Sequence, residues 1–302
     1  MYKKLLIPLD GSQLSEAILP YGRVLAKSLK IPVDLLRVIE REVIEVAVNP
    51  KQNYSIENAE ADLRSSCNDY LAGVAASFAE TPNVNCFTSV GDAAEVIVDR
   101  ASADPDALLA MSTHGRSGIQ RWYLGSVADK VLHASTNPML LVKGTGQHES
   151  HDGEATIKRI IVPLDGSPLA EKALPHATVW AKALHAELDL ISVYKSLTNA
   201  YYAEGLIPNF DANRDAMREE AKNYLDVKAE QLSTQGVENA SCIIEPGDAG
   251  ARIIELAQET PNSLVTMCSH GRSGIRRWVF GGTAERVVRY SGDPVLVIRA
   301  SE

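Results

Sequence analysis

At 302 residues the chain is long enough for two ordinary domains, and its 45% hydrophobic and 23% charged residues are typical of a globular protein. A net charge of −9 excludes the general basic surface that nucleic acid or an acidic membrane requires. No stretch approaches the roughly 20 apolar residues that span a bilayer. The apolar run after Met1 is too short for a signal peptide because Asp10 ends it. We therefore expect a cytoplasmic protein.

The cysteines indicate reduced, mostly buried thiols. No two of them form a Cys-x-x-Cys pair, so the sequence favours neither a disulfide framework nor a zinc site. The four are Cys67, Cys86, Cys242 and Cys268.

The sequence contains an internal repeat. Residues 3–12 return as residues 158–167, and residues 112–126 return as residues 268–282. The repeated aspartates, Asp10 and Asp165, lie 155 residues apart, and the repeated loop glycines lie 156 apart. A nearly constant offset across both halves indicates duplication of a whole domain. We predict domains over 1–144 and 157–302, joined by a polar, glycine-rich linker over 145–156.

Apolar strands alternate with helical patterns within each half. In the first half we predict strands over 5–9, 33–38, 84–89, 107–111 and 138–143, helices over 12–29, 55–79, 92–101 and 127–134, and an irregular stretch over 39–54. In the second half we predict strands over 159–164, 187–193, 237–244, 263–267 and 294–299, helices over 167–184, 214–234, 248–259 and 283–290, and an irregular stretch over 194–213. This alternation predicts a parallel sheet covered by helices on both faces.

The repeated loop at 112–126 runs from a strand through glycines into a helix N-terminus, an arrangement that binds phosphate through backbone N–H groups. Gly115 and Gly125 let the backbone approach phosphate oxygens, Ser126 adds a hydroxyl and Arg116 adds a cation. If the first strand lies beside the fourth, the turn at Asp10 faces this loop. One side then offers a carboxylate for ribose hydroxyls and the other offers amides for phosphates, as a nucleotide requires.

The spacing Gly115-x9-Gly125-Ser126, together with the Pro-Leu-Asp-Gly-Ser start, resembles the universal stress protein family. The resemblance covers nearly the full length as two tandem domains. It implies two open, parallel, five-stranded α/β sandwiches that are Rossmann-like and adenine nucleotide alpha hydrolase-like, with strand order 3-2-1-4-5. The family's ATP-binding pattern is Gly-x2-Gly-x9-Gly-Ser/Thr, and Ser112 replaces its first glycine here.

The resemblance implies ATP as the ligand and assigns contacts to it. In the first domain the expected contacts are Pro8, Asp10, Val38, Met111, Ser112, Gly115, Arg116, Gly125, Ser126 and Val127. In the second domain they are Pro163, Asp165, Val193, Met267, Gly271, Arg272, Gly281, Gly282 and Thr283. Cys268 replaces the first glycine there, and Gly282 replaces the hydroxyl residue, which removes about 1 kcal/mol of hydrogen bonding. We expect the first domain to bind nucleotide better.

Purely structural interpretations stand beside these. The glycines could serve turn geometry alone, and Asp10 could be an ordinary turn residue. Asp129 and Glu285, in the first turns of the helices after the loops, could satisfy the helix dipole without a ligand. His114 and His270 have no partner at metal-ligand spacing, so packing or hydrogen bonding is the favoured role for both.

The sequence thus predicts an ATP-binding stress-response regulator without strong catalysis, because it has neither a Walker A lysine motif nor a visible general base. A Mg²⁺ ion bridging the phosphates is compatible with this prediction. Two alternatives stay open: a slow ATPase or adenylate-type enzyme, and a nucleotide-free interaction module. The resemblance further implies pairing of the two domains through their apolar fifth strands. We also expect a homodimer of chains and an unidentified regulatory protein partner.

Overall fold

The computed structural model of the chain describes residues 1–48, 55–113, 124–144, 153–194, 210–237, 239–269 and 280–299. The chain divides into two compact units, Met1–Thr156 and Ile157–Glu302. Each unit is an α/β fold built on five parallel strands.

Unit one has a parallel sheet in the predicted order, β3-β2-β1-β4-β5. Every residue of β4 and β5 is buried, as expected for strands with both faces covered. The strands are β1 (Lys4–Pro8), β2 (Val33–Ile39), β3 (Val84–Val90), β4 (Ala107–Ser112) and β5 (Met139–Val142). The helices of its described part are α1 (Gln13–Glu16), α2 (Leu19–Leu29), α3 (Arg41–Ala47), α4 (Ile56–Ala76), α5 (Ala93–Ser102) and α6 (Ser126–Ala134).

Unit two repeats this arrangement. Its sheet has the order β8-β7-β6-β9-β10, which is again third, second, first, fourth, fifth. The strands are β6 (Arg159–Pro163), β7 (Glu187–Tyr194), β8 (Ala240–Pro246), β9 (Ser263–Cys268) and β10 (Val295–Ile298). The helices of its described part are α7 (Pro168–Glu171), α8 (Ala173–Leu184), α9 (Phe210–Thr234), α10 (Ala249–Glu259) and α11 (Gly282–Tyr290).

The first helix of each unit is broken in two, where the sequence pattern predicted one continuous helix. Pro20 has no N–H to donate to the carbonyl of Glu16, and Pro175 has none for the carbonyl of Glu171. Glu16 ends α1 and Glu171 ends α7. Each proline therefore removes the hydrogen bond that would join the two pieces.

The stretch 39–54, predicted to be irregular, contains the helix α3 in its described part. The helix follows Glu40, which provides no side-chain cap. Its buried residue, Ile44, packs in a cluster with Ile39, Ala59 and Cys67. Tertiary burial rather than a local start motif forms this helix, and this is why the sequence pattern missed it.

All four cysteines lie in described segments, and none of them forms a disulfide. Cys67 and Cys268 are buried, Cys242 is intermediate and Cys86 is exposed. The expectation of mostly buried thiols therefore fails at Cys86, which lies in β3 at the edge of the sheet of unit one.

The described end of the predicted linker, residues 153–156, packs on α2 of unit one. The buried Arg23 guanidinium donates to the Gly153 carbonyl from Nε at 3.0 Å and from a terminal nitrogen at 2.6 Å. The Ala155 N–H donates to the Pro20 carbonyl at 3.0 Å. Lys27 Nζ lies 3.3 Å from Glu154 Oε1. These contacts hold the end of the linker against the helix.

We expect Arg23→Ala to accelerate cleavage after Glu154 by a Glu-specific protease. Two charge-assisted hydrogen bonds are lost, and a loss of about 1.5–3 kcal/mol favours local opening by roughly tenfold or more. Lys27→Ala is the control, because an exposed ion pair contributes about 0–1 kcal/mol. Mass spectrometry of the fragments measures both rates. Equal rates for the two variants would show that Arg23 does not anchor the linker.

The residue two positions before the fifth strand differs between the units. In unit one, buried Asn137 donates from Nδ2 to the carbonyls of Asp104 at 2.9 Å and Ala107 at 3.1 Å. In unit two, Asp293 occupies the matching position, 156 residues later. Burial raises the pKa of the Asp293 carboxyl to about 6. An ionised carboxylate cannot make the donor contacts that an asparagine makes there.

We expect Asp293→Asn to stabilise unit two at pH 8 by about 1 kcal/mol, a value discounted because Asp293 is partly exposed. The folded protein binds this proton more tightly than the unfolded chain does, so wild-type stability falls as pH rises from about 4 to above 6. The gain should therefore vanish near pH 4. Denaturant unfolding of both proteins at the two pH values measures it. A variant that is no more stable than wild type at pH 8 contradicts this prediction.

Candidate functional site

The carboxyl ends of the first and fourth strands are neighbours in each unit. In unit one, β1 pairs with β2 on one side and with β4 on the other. The chain leaves β1 toward β2 and leaves β4 toward β5, so the two connections diverge and leave a crevice at this edge. Unit two places β6 between β7 and β9 in the same way. This is where ligands bind in open parallel sheets.

The turn after the first strand is shaped by its aspartate. Asp10 Oδ1 accepts hydrogen bonds from the Ser12 N–H at 2.8 Å and from Ser12 Oγ at 2.6 Å. Ser12 Oγ in turn accepts from the Ser15 N–H at 3.1 Å and caps α1. Asp165 makes the same two contacts with Ser167, at 3.0 and 2.6 Å. One carboxylate oxygen therefore has the structural role that the sequence left open for Asp10.

One residue joins the two ends of the loop after each fourth strand. In unit one the Thr113 N–H donates to the Val142 carbonyl at 2.8 Å, and the Thr113 carbonyl accepts from the Gly125 N–H at 2.7 Å. Ser269 does the same in unit two, bonding to Ile298 at 2.9 Å and Gly281 at 2.8 Å. The N–H groups of Gly125 and Gly281 are thus already used. The amides offered to a ligand start one residue later.

The helices after these loops begin without a side-chain cap. Gly125 is the N-cap of α6 and Gly281 is the N-cap of α11, and neither has a side chain that could cap the helix. By contrast, the side chains of Ser55, Asp92 and Asp248 accept from the first turns of α4, α5 and α10. The first amides of α6 and α11 retain the partial positive charge that attracts an anion.

The acidic residues in these first turns have partners further along the helix. Asp129 Oδ2 lies 3.7 Å from His133 Nδ1. Glu285 Oε1 accepts from Arg289 Nε at 3.0 Å. Each carboxylate therefore contacts a residue four positions toward the helix C-terminus. These contacts argue against the interpretation that the two carboxylates take the place of an anionic ligand at the helix N-termini.

The residues at the first glycine position are buried in both units. Ser112 is buried, and a Cβ placed on Gly144 would lie 3.1 Å from its Oγ and 2.9 Å from the Leu14 carbonyl oxygen. Burial raises the pKa of the Cys268 thiol to about 12, although Lys172 and a hydrogen bond from the Ala173 N–H oppose the rise. Cys268 therefore stays protonated and is not a nucleophile at neutral pH.

The hydroxyl position also differs between the units. Ser126, the first residue of α6, is exposed and carries the hydroxyl. Gly282 is the first residue of α11, and a Cβ placed there would meet no described atom within 4 Å. Among the described residues, none occupies the position of a side chain at Gly282.

The structure brings most of the predicted contact residues of each unit to this edge. Pro8, Met111 and Ser112 lie at or near the ends of β1 and β4, Val38 lies near the end of β2, and Val127 follows Ser126 in α6. In unit two Pro163, Val193 and Met267 lie near the ends of β6, β7 and β9, and Thr283 follows Gly282 in α11. Gly115, Arg116, Gly271 and Arg272, together with His114 and His270, lie outside the described residues.

The sequence analysis missed a cationic group at the edge of unit one. The Arg37 guanidinium, near the end of β2, lies over the Tyr70 ring at 4.7 Å from its centroid. The same guanidinium approaches Gly11 so closely that a Cβ there would lie 2.5 Å from one of its nitrogens. A charged residue near the carboxyl end of a mostly apolar strand was the available indication in the sequence.

Two negative observations concern the described residues alone. No group of three or more His, Cys, Asp or Glu side chains among them is placed to hold a metal ion. None of the helices in the described ranges combines the length and apolarity needed to cross a bilayer.

Comparison with known proteins identifies the family. The profile of the universal stress protein family matches residues 1–143 and 156–299. A universal stress protein of Mycolicibacterium smegmatis is 23% identical over 98% of this chain and 96% of its own length. Universal stress protein MJ0531 of Methanocaldococcus jannaschii is 30% identical over 49% of this chain and 85% of its own length.

Solved structures show the same fold over the whole chain. A universal stress protein from Archaeoglobus fulgidus DSM 4304 has a TM-score of 0.68 and 23% identity, with full coverage of both chains. A putative universal stress protein from Pseudomonas aeruginosa has a TM-score of 0.65 and 18% identity, covering 99% of this chain and 93% of its own. Because the family profile matches both halves, the chain belongs to the universal stress protein family.

Proposed function

We propose that unit one binds ATP at the edge between β1 and β4, and that the protein senses or sequesters the nucleotide without strong catalysis. The observation that carries this proposal is the uncapped N-terminus of α6, which starts beside the crevice and exposes Ser126. An exposed helix N-terminus is a suitable site for a phosphate. The loop pattern in front of it is the one that resembles the family's ATP-binding sequence.

The phosphates and the adenosine of ATP are assigned to different elements of unit one. The phosphates are proposed to lie on the amides of Ser126 and Val127 and on the Ser126 hydroxyl. The Gly125 N–H is not assigned to a phosphate, because it already donates to the Thr113 carbonyl. The role proposed for Gly125 is to leave space for the phosphates, since it has no side chain. The adenosine end is proposed to lie toward Asp10 and Val38, at the ends of β1 and β2. Gly115 and Arg116 remain proposed contacts, as does Mg²⁺ on the phosphates.

Unit two is proposed to bind ATP more weakly. The turn at Asp165 and the uncapped helix at Gly281 repeat the frame of the site. The hydroxyl is missing at Gly282, and the bulkier Cys268 side chain stands where Ser112 stands in unit one. A lost hydrogen bond to a charged group costs about 1.5–3 kcal/mol, or roughly 10- to 100-fold in affinity.

The wider assignments are also proposals. We propose domains over 1–144 and 157–302, paired through β5 and β10, whose apolar residues favour covering of these strands. A homodimer of chains, a regulatory protein partner and a cytoplasmic location complete the proposal. They are supported by the family membership and by the acidic, globular composition.

The chain offers a matched pair of variants for testing the phosphate site. We expect Ser126→Gly to weaken ATP binding about 10-fold or more, because it removes a hydroxyl facing a charged group. We expect Gly282→Ser to strengthen binding in unit two, because it supplies that hydroxyl at a position where a Cβ meets no described atom. Isothermal titration of the full chain with ATP measures both affinities and the number of sites.

The ATP affinities of the two variants together test whether the phosphates bind at these positions. Weaker binding in the first variant and a newly measurable second site in the other support the proposal. ATP binding that neither substitution changes would place the phosphates elsewhere. A wild-type chain that shows no heat of binding and no thermal shift with millimolar ATP would refute the proposal.

Asp10→Asn separates the structural role of Asp10 from its proposed role in binding. The asparagine Oδ1 can still accept the two hydrogen bonds from Ser12, so the melting temperature should change little. We expect ATP affinity to fall about 10-fold, because a neutral amide accepts from ribose hydroxyls less strongly than a carboxylate does. Asp165→Asn serves as the control, with a smaller effect on binding. Unchanged affinity for Asp10→Asn would leave Asp10 with the turn role alone.

A further inference from the structure

Arg37 is a half-buried cation at the same edge as the proposed nucleotide site of unit one. It lies near the carboxyl end of β2, one residue before Val38. Its guanidinium covers Gly11, since a Cβ there would lie 2.5 and 2.8 Å from its two terminal nitrogens. Gly11 also has φ +78°, a backbone conformation that favours glycine. Arg37 is thus next to the turn that carries Asp10.

The guanidinium is held in place by an aromatic ring. The carbon at its centre lies 4.7 Å from the centroid of the Tyr70 ring, within the range of a cation–π contact. The Tyr70 hydroxyl donates to Glu16 Oε1 at 2.7 Å, which fixes the ring between α4 and α1. Burial, with the bond to Glu16, raises the pKa of Tyr70, so this hydroxyl remains a donor. The cation is therefore positioned before any ligand arrives.

Within the described ranges, Arg37 makes neither a hydrogen bond nor an ion pair, and its guanidinium lies against the Tyr70 ring and Gly11. A guanidinium has five N–H donors, and burial without acceptors costs free energy. This side chain is therefore suited to receive an anion.

Unit two contains an equivalent tyrosine–glutamate contact, but the cation beside that tyrosine is paired with the glutamate. The Tyr224 hydroxyl donates to Glu171 Oε1 at 2.9 Å, as Tyr70 does to Glu16. Lys228 Nζ lies 5.5 Å from the Tyr224 centroid and donates to Glu171 Oε2 at 2.8 Å. Ser192 occupies the position of Arg37 there, 155 residues later. A guanidinium at this position is thus specific to unit one.

The position of Arg37 indicates which part of a nucleotide it faces. The proposed phosphate site is at the end of β4, and β4 is separated from β2 by β1 alone. The Arg37 guanidinium itself lies against Gly11 in the turn after β1, and β1 is the direct neighbour of β4 at about 4.8 Å, so the guanidinium is about one strand spacing from the end of β4. A ribose hydroxyl lies about this far from the 5′-phosphate of the same nucleotide, and the guanidinium lies beside Asp10, which is the proposed ribose contact, so an anion at Arg37 is assigned to the ribose.

We propose that Arg37 binds a phosphate monoester on the 2′- or 3′-hydroxyl of an adenine nucleotide whose 5′-phosphate lies at the N-terminus of α6. This proposal rests on the proposed function of unit one. It makes unit one selective for nucleotides that carry a second anionic group on the ribose. Asp10, beside Arg37, then faces the remaining ribose hydroxyl.

The test compares three ligands on the full chain by isothermal titration: 5′-AMP, adenosine 2′,5′-bisphosphate and adenosine 3′,5′-bisphosphate. We expect one bisphosphate to bind about 10- to 100-fold more tightly than 5′-AMP, as a charge-assisted contact allows, and to lose that preference at high salt. The isomer that binds better identifies the hydroxyl. Arg37→Ser, which installs the residue of unit two, should remove the preference and leave 5′-AMP affinity within about threefold.

Two further variants distinguish binding from support of the fold. Arg37→Lys keeps the charge and should retain part of the preference. Ser192→Arg is the reciprocal variant, and it should raise affinity for the same bisphosphate in unit two. Melting temperatures of all variants verify that the chain is folded. If Arg37→Ser lowers the affinity for all three ligands equally, Arg37 supports the structure of the site without contacting a ribose phosphate, and the proposal fails.

The outcomes separate this proposal from the proposed function. If the wild-type chain binds ATP but shows no preference for either bisphosphate, the inference about Arg37 fails and ATP binding stands. If the chain binds neither ATP nor any of the three ligands, the proposed function fails and this inference fails with it. A bisphosphate preference that is lost in Arg37→Ser but kept in Ser126→Gly would support anion binding by Arg37. It would contradict binding of the 5′-phosphate at the N-terminus of α6.

Discussion

The two hydrogen bonds of Thr113 are the constraint on which the proposed site depends. Its N–H is bonded to β5 and its carbonyl to the Gly125 N–H. Whatever path residues 114–123 take, these bonds place the start of α6 at the carboxyl edge of the sheet. The helix then presents its first amides beside the turn at Asp10. Ser269 imposes the same constraint in unit two.

The duplication separates what the fold requires from what a ligand requires. The aspartate turn, the loop closure and the tyrosine–glutamate contact occur in both units with nearly the same distances. The residues that would touch a ligand differ: Ser126 against Gly282, Ser112 against Cys268 and Arg37 against Ser192. A shared scaffold therefore carries two proposed sites that differ in their side chains. This contrast is the basis of our assignment of the tighter site to unit one.

Much of the fold could be predicted from the sequence, because burial and repetition leave strong patterns. Buried strands such as β4 are continuous apolar runs, and the 155-residue offset gives each prediction a second example. The helix α3 was missed because its formation depends on packing of Ile44 and not on a local start motif. The break after Glu16 was missed because helical periodicity continues across it, while the cause is the missing N–H of Pro20.

The site was only partly accessible from the sequence. The pattern placed Gly125 and Ser126 correctly at the start of a helix, but it could not show that the Gly125 N–H is used by Thr113. Arg37 was missed because a charged residue in a strand gives no indication of where its long side chain ends. That required the positions of Tyr70 and Gly11, which come from distant parts of the chain. Gly115 and Arg116 remain predictions from the motif.

Hydrogen exchange at the N-terminus of α6 tests the central claim most directly. The amides of residues 126–128 should exchange at least tenfold more slowly in saturating ATP, because they would donate to phosphate oxygens. The matching amides at 282–284 should be protected much less. Unchanged exchange at 126–128, under conditions in which ATP is demonstrably bound, would contradict the account.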